Sequence, residues 1–142
     1  MASFHCVSLL PITAIMIPVY SLFVQVNLID SMVGAILFLG RHVGYPVALE
    51  GALKLKEIAY LHAEGFPAGE LKHGPIALVE NQIPIFVVVP PQGRDQLHDK
   101  VTSNIQEVRA RGAFTIVLAE DDDDEVAPYA DFIFRLPKVS TL

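Results

Sequence analysis

Glu50, Lys54 and Glu57 are spaced i, i+4 and i+7, so on a helix two carboxylates and an ammonium share one face. Sixteen residues beyond Glu57, His73 stands between Lys72 and Gly74, with Pro75 next. A carboxylate can take and return a proton. An ammonium can keep that carboxylate ionised, or stabilise an anion developing on a substrate oxygen. An imidazole, with an ordinary pKa of about 6.5, exchanges protons near neutrality. Together these groups have the chemistry of proton transfer on a polar substrate. The same spacing also describes a solvated helix face with salt bridges, and a loop histidine bonded to backbone. Spacing alone leaves both readings open.

The elements that must position these residues follow from hydrophobic periodicity. The segments 35–39, 83–89, 114–118 and 131–136 are predicted strands, and the continuity rather than alternation of the apolar run 35–39 points to a parallel sheet covered on both faces. Pro84 belongs at the start of its strand, where a missing N–H is tolerated. A helix is predicted over 46–62, with Pro46 in its first turn and Gly65, Pro67 and Gly69 ending it. Gly51 within it costs about 1 kcal/mol relative to alanine, so a neighbouring backbone or a ligand is expected close by. A short helix near Pro75 carries Ile76, Ala77 and Leu78. Another runs from a cap at Asp95 to 111, with Leu97, Val101, Ile105 and Val108 inward and Gly112 as its stop. The pattern is β-α-β-α-β-loop-β, a three-layer α-β-α sandwich with a mainly parallel sheet. No helix follows the last strand, so one sheet face is expected to be short of cover and the domain incomplete at its C-terminus. Ligands of such sheets sit at the carboxyl ends of the strands, an edge that includes Gly40, Arg41, the start of the Pro46 helix, Pro90 and Pro91.

Composition narrows the function classes. Ten Lys+Arg against 16 Asp+Glu leave a net charge of −6, which argues against nucleic-acid binding but allows a local site for a small anion. Cys6 is the one cysteine, so no internal disulfide can form and a reducing compartment fits. The five histidines lack HExxH spacing, and His5 and His98 read as surface or packed residues. Neither a GxGxxG nor a GxxxxGK[ST] motif is present, which argues against a dinucleotide-binding fold and a nucleotide triphosphatase; with one cysteine and no HExxH, neither a cofactor nor a metal is expected. The acidic run EDDDDE at 120–125 could hold a divalent cation. It lacks the spaced geometry of a calcium loop, and a solvated loop is expected. Residues 1–34 read as an apolar leader, with no charge from 7 to 29. That length could span a bilayer, but Pro11 and Pro18 interrupt it and no positive region precedes it. Residues 35–142 read as the folded domain, cytoplasmic in character.

The segment FLGRHVGYPVALEGALKLKEIAYLHAEGFPAGELKHGPIALVE, with SNIQEVRARG further on, resembles the second sugar-isomerase (SIS) domain of glutamine–fructose-6-phosphate aminotransferases (isomerizing), the glucosamine-6-phosphate synthases. The resemblance covers about 37–137 and leaves out residues 1–34. It implies an α-β-α fold and a phosphosugar substrate, fructose 6-phosphate, aminated and isomerised to glucosamine 6-phosphate. It implies that Glu57 moves a proton between C1 and C2, that Lys54 lies in the same sugar site and that Glu50 supports them. It implies that His73 assists ring opening and is contributed across a dimer interface. Members of this family also carry a glutaminase domain with a nucleophilic cysteine, a first SIS domain with a Ser/Thr-rich phosphate loop, and a C-terminal tail with a Schiff-base lysine. Cys6 and Lys138 do not match those positions, and Gly40, Arg41 and His42 stand where a phosphate loop would be. Three readings follow: a piece of the synthase that is inactive alone, working as a homodimer or with a partner subunit; a free-standing phosphosugar-binding SIS module; and a membrane-tethered interaction protein.

Overall fold

The computed structural model describes residues 35–92 and 96–138. The apolar stretch at 7–29 and the expected cap at Asp95 lie outside the described residues. Five parallel strands form one sheet in the order β2-β1-β3-β4-β5. They are β1 (Ile36–Gly40), β2 (Ala63–Pro67), β3 (Pro84–Val88), β4 (Phe114–Glu120) and β5 (Phe132–Leu136). Helix α1 (Gly44–Ala59) connects β1 to β2, and α2 (Leu97–Ala110) connects β3 to β4. Two 3-10 helices, Ala68–His73 and Pro75–Leu78, lie between β2 and β3.

The apolar runs of the strands divide between two cores. Ile36, Phe38, Phe86 and Ile116 pack with Ala48, Ala52 and Leu55 of α1. Leu37, Leu39, Ile85, Val87 and Val117 pack with Val101, Ile105 and Val108 of α2, together with Ala68 and Leu71. Each strand alternates between these two apolar faces, which is why no polar alternation appears in the sequence. Phe38 and Phe86, directly opposite across the β1–β3 pair, stack with centroids 4.5 Å apart. On the α1 side, Phe114, Leu118, Phe132 and Phe134 are only partly buried, and among the described residues no helix covers β4 and β5 there. Among the described residues, the expected shortage of cover is on this face.

Three expectations need correction. The first long helix ends at Ala59, because Tyr60 turns into the left-handed region at φ 56°. Gly65 and Pro67 are not helix stops: they belong to β2, a fifth strand pairing in register from Ile36↔Ala63 to Gly40↔Pro67. A Cβ at Gly65 would sit 2.8 Å from Leu49 Cδ2 and 3.1 Å from Leu49 Cα, so the glycine lets α1 cross closely over the edge strand. The crowding at Gly51 comes from a ring rather than from backbone or ligand, since a Cβ there would meet Phe38 Cε1 at 2.8 Å. Other expectations hold: β3 opens on Pro84, and Gly112 follows α2 with φ 87°.

Candidate functional site

Alanines and leucines carry α1 through four turns and bury one flank, leaving the charged positions on the other. Lys54 Nζ donates to Glu57 Oε2 at 2.8 Å and lies 3.6 Å from Glu50 Oε1. The ammonium is therefore held between two carboxylates on one helix flank. Its pKa is raised, first by the hydrogen bond to Glu57, then by the charge of Glu57, with Glu50 adding to the effect. Lys54 is thus a fixed cation suited to an oxyanion and unsuited to nucleophilic attack as a free amine. The Glu57 side chain is 52% exposed, and solvent or a substrate can reach its free oxygen.

The cluster does not stand at the carboxyl edge of the sheet. Helix α1 starts at that edge and runs back toward the amino ends of the strands. At 1.5 Å per residue Glu57 lies about 20 Å along the axis from Gly44. Glu50, Lys54 and Glu57 therefore form an open charged flank, and another surface must close over it to make a pocket. His73 ends the 3-10 helix Ala68–His73 and is exposed. The structure shows no bond between it and the cluster: among the described residues the His73 side chain makes no hydrogen bond or ion pair. The neighbouring Lys72 pairs with Glu107 at 2.7 Å, which ties GELKHGP to α2.

At the carboxyl edge itself, Arg41 follows β1 and lies across Gly69. A Cβ on Gly69 would be 3.6 Å from both Cζ and Nη2 of Arg41. Among the described residues this guanidinium has no hydrogen bond or ion pair, and Arg41 is partly buried. Asp121, Asp122, Asp124 and Glu125 of the acidic run are exposed, as expected of a solvated loop, while Asp123 turns inward. Asp123 is 1% exposed and bonds His98, 3% exposed, at 2.7 Å. Arg135 donates to the carbonyl oxygens of Glu120 and Asp123, and Lys138 bonds Asp122 at 2.6 Å.

The SIS domain family model matches residues 31–141. The chain belongs to the SIS domain family. Over 109 residues this SIS domain is 74% identical to the glutamine–fructose-6-phosphate aminotransferase [isomerizing] of Corynebacterium glutamicum, covering 76% of this chain and 18% of the relative. The corresponding protein of Streptomyces coelicolor is 70% identical over 108 residues, covering 75% of this chain and 18% of that protein. Among solved structures, the C-terminal domain of glucosamine-fructose-6-phosphate aminotransferase from Francisella tularensis matches with a TM-score of 0.63 and 42% identity, over 89% of this chain and 36% of that one. A protein of Escherichia coli CFT073 has the same fold, with a TM-score of 0.67 and 14% identity, over 87% of this chain and 63% of that chain. The SIS domain described here thus corresponds to an SIS region of the aminotransferases and spans less than a fifth of their length. Among the described residues no helix is long and apolar enough to cross a membrane.

Proposed function

We propose that this SIS domain supplies one wall of the sugar-isomerising site of a glutamine–fructose-6-phosphate aminotransferase, in amino-sugar biosynthesis in the cytoplasm, and that the chain alone does not make glucosamine 6-phosphate. The carrying observation is the open flank on which Lys54 bridges Glu57 at 2.8 Å and Glu50 at 3.6 Å. Glu57 is the base that moves a proton between the adjacent carbons of open-chain fructose 6-phosphate. Lys54 steadies it and offsets charge on the substrate oxygen, and Glu50 holds Lys54. His73, unbonded to this cluster, assists ring opening in a site completed by a second copy or a partner subunit. The exposed apolar residues Val47, Leu49, Leu53 and Ile58 on the same helix suit such a contact. No cofactor is needed for a proton shuttle of this kind, and nucleic acid has no part in it.

Two measurements test this reading. Purified chain given fructose 6-phosphate and ammonia should yield no glucosamine 6-phosphate; turnover comparable to a complete synthase overturns the claim of inactivity. Residues 37–137 grafted into the Corynebacterium glutamicum relative should keep its activity. Glu57→Gln in that chimera should then lower kcat by about 10²–10⁴-fold, the usual worth of a general base. A chimera indifferent to Glu57→Gln removes Glu57 from the mechanism.

Arg41 at the carboxyl edge, unpaired among the described residues, favours a second reading, a phosphosugar-binding SIS module acting without the rest of the synthase. That reading expects the isolated chain to bind fructose 6-phosphate and to lose the affinity in Arg41→Met. Calorimetry showing no binding excludes it.

A further inference from the structure

We propose that the carboxyl edge of the sheet carries a site for a divalent transition-metal cation of the zinc class, built from His98 Nδ1, Asp99 and Glu125, with Asp123 behind the histidine. This site is independent of the sugar chemistry and of Glu50, Lys54, Glu57 and His73.

His98 lies in the first turn of α2, its side chain 4% exposed. Its Nε2 is 2.7 Å from Asp123 Oδ2, and Asp123 is itself buried. Asp123 is held in place by Gln92 Nε2 at 3.1 Å and by the Glu125 backbone N–H at 3.2 Å, both donating to Oδ1. A neutral imidazole that donates from Nε2 presents a lone pair at Nδ1. A carboxylate fixing the far nitrogen is the usual support of a metal-bound histidine, since it sets the tautomer and raises ligand basicity.

Nδ1 points between two carboxylates and is hydrogen-bonded to neither. Glu125 Oε2 lies at 3.6 Å and Asp99 Oδ1 at 4.0 Å. The three ligand atoms are all within 4.8 Å of one another. Tetrahedral bonds of about 2.0–2.1 Å set ligand atoms about 3.4 Å apart. The set therefore needs to close by about 0.2 Å at Glu125, about 0.6 Å at Asp99 and up to about 1.4 Å between the two carboxylates. The movable members can do so, because the side chains of Asp99 and Glu125 are 77% and 55% exposed while the histidine is anchored. One imidazole and two carboxylates, with water completing the shell, suit zinc or cobalt better than calcium, which takes oxygen ligands alone. Arg135 of β5 is engaged with the backbone carbonyls of Glu120 and Asp123 and with the Asp124 carboxylate. A bound ion would clamp the β4–β5 loop to the start of α2.

Asp99 also stands in the first turn of α2, where an acid favours the helix dipole without any metal. Metal titration separates the two roles. The metal-free full-length chain is titrated with Co²⁺ and followed by its d–d absorption, and with Zn²⁺ by competition. One saturable site is expected. Asp99→Asn and Glu125→Gln, both at exposed positions, should each weaken it at least 10-fold with an unchanged far-UV spectrum. Asp123→Asn should weaken it by about 10–100-fold through the histidine. Absence of saturable binding overturns the site. So does an affinity that Asp99→Asn and Glu125→Gln leave within about 3-fold of the parent, since the metal would then be bound elsewhere in the chain.

Discussion

The side chains of this domain bond mostly across long stretches of sequence, and that decides which were legible in advance. Glu50, Lys54 and Glu57 could be found from spacing because they lie on one helix, where i,i+3 and i,i+4 neighbours meet. The pairing of His98 with Asp123, 25 positions apart, could not, because only the return of the chain through β4 brings them together. Thr115 is a similar case. Its hydroxyl lies 2.9 Å from both Tyr129 O and Asp131 Oδ2, and its N–H donates to the same carboxylate at 2.8 Å. Thr115 is fully buried, so removing the hydroxyl leaves these oxygens short of a partner. Thr115→Val should cost about 1–3 kcal/mol in urea unfolding, and a smaller loss would mean that water takes over the bonds. The exposed Asp122–Lys138 pair makes a different prediction. The hydrogen bond to Lys138, with the attraction of its charge, lowers the Asp122 pKa below its ordinary 3.8, while the same pair raises Lys138 above 10.5. The unfolded chain then binds the carboxylate proton more readily. The stabilisation is complete above 3.8 and is lost as pH falls through the lowered folded value; at the alkaline end it is lost as pH rises through the raised lysine value. A carboxyl-detected NMR titration should place the Asp122 midpoint below that of free aspartate, and Lys138→Met should move it back up. The effect should shrink in high salt, as for any exposed pair.

The elements were legible to the degree that they are buried on both faces. β1, β3 and β4 show as unbroken apolar runs because neighbours lie above and below them. β2 was hidden because it is an edge strand whose sequence, AEGFP, combines poor strand formers with a proline at its end, where only one side must pair. Its glycine answers to α1, not to the backbone of a turn. The same close approach governs Gly51. Replacing it by alanine removes a helix penalty of about 1 kcal/mol but drives a methyl into the Phe38 ring, which is itself stacked on Phe86. Overpacking of a fixed aromatic pair costs about 1–3 kcal/mol, so Gly51→Ala should on balance lower the melting temperature. Gly51→Ala combined with Phe38→Leu should recover part of the loss, a coupling that a double-mutant cycle measures. If Gly51→Ala is stabilising, the ring has room to move and propensity governs the position. The end of α1 could not be read from periodicity, since Leu61 and His62 continue the pattern. What stops the helix is the left-handed turn at Tyr60, a residue type rarely found there.

At the scale of the whole molecule, the two faces of the sheet are unequally covered among the described residues, and the prediction that follows is intermolecular. The α2 side has a continuous core from Leu37 to Val126. On the α1 side the helix covers β1, β2 and β3, while Phe114, Leu118, Phe132 and Phe134 remain half-buried on β4 and β5. Phe132 and Phe134 touch at 4.8 Å between centroids, so the surface includes adjoining aromatic rings. β5 is also an edge strand, pairing only with β4 among the described residues. Apolar surface next to an unpaired strand edge favours association, and its strength should rise with protein concentration. Sedimentation velocity of the full chain should therefore show weight-average mass increasing with loading, together with binding of an apolar dye. Phe134→Thr keeps strand propensity while removing most of the exposed ring, and it should lower both signals without loss of secondary structure. Lys54→Met and Glu57→Gln, on the flank of α1, should leave them unchanged if the β4–β5 face is the cause. Should the full chain instead remain monomeric and silent toward the dye at every concentration, this face is already covered in solution. The partner surface would then have to be sought along α1, where Leu49 and Leu53 adjoin the charged cluster.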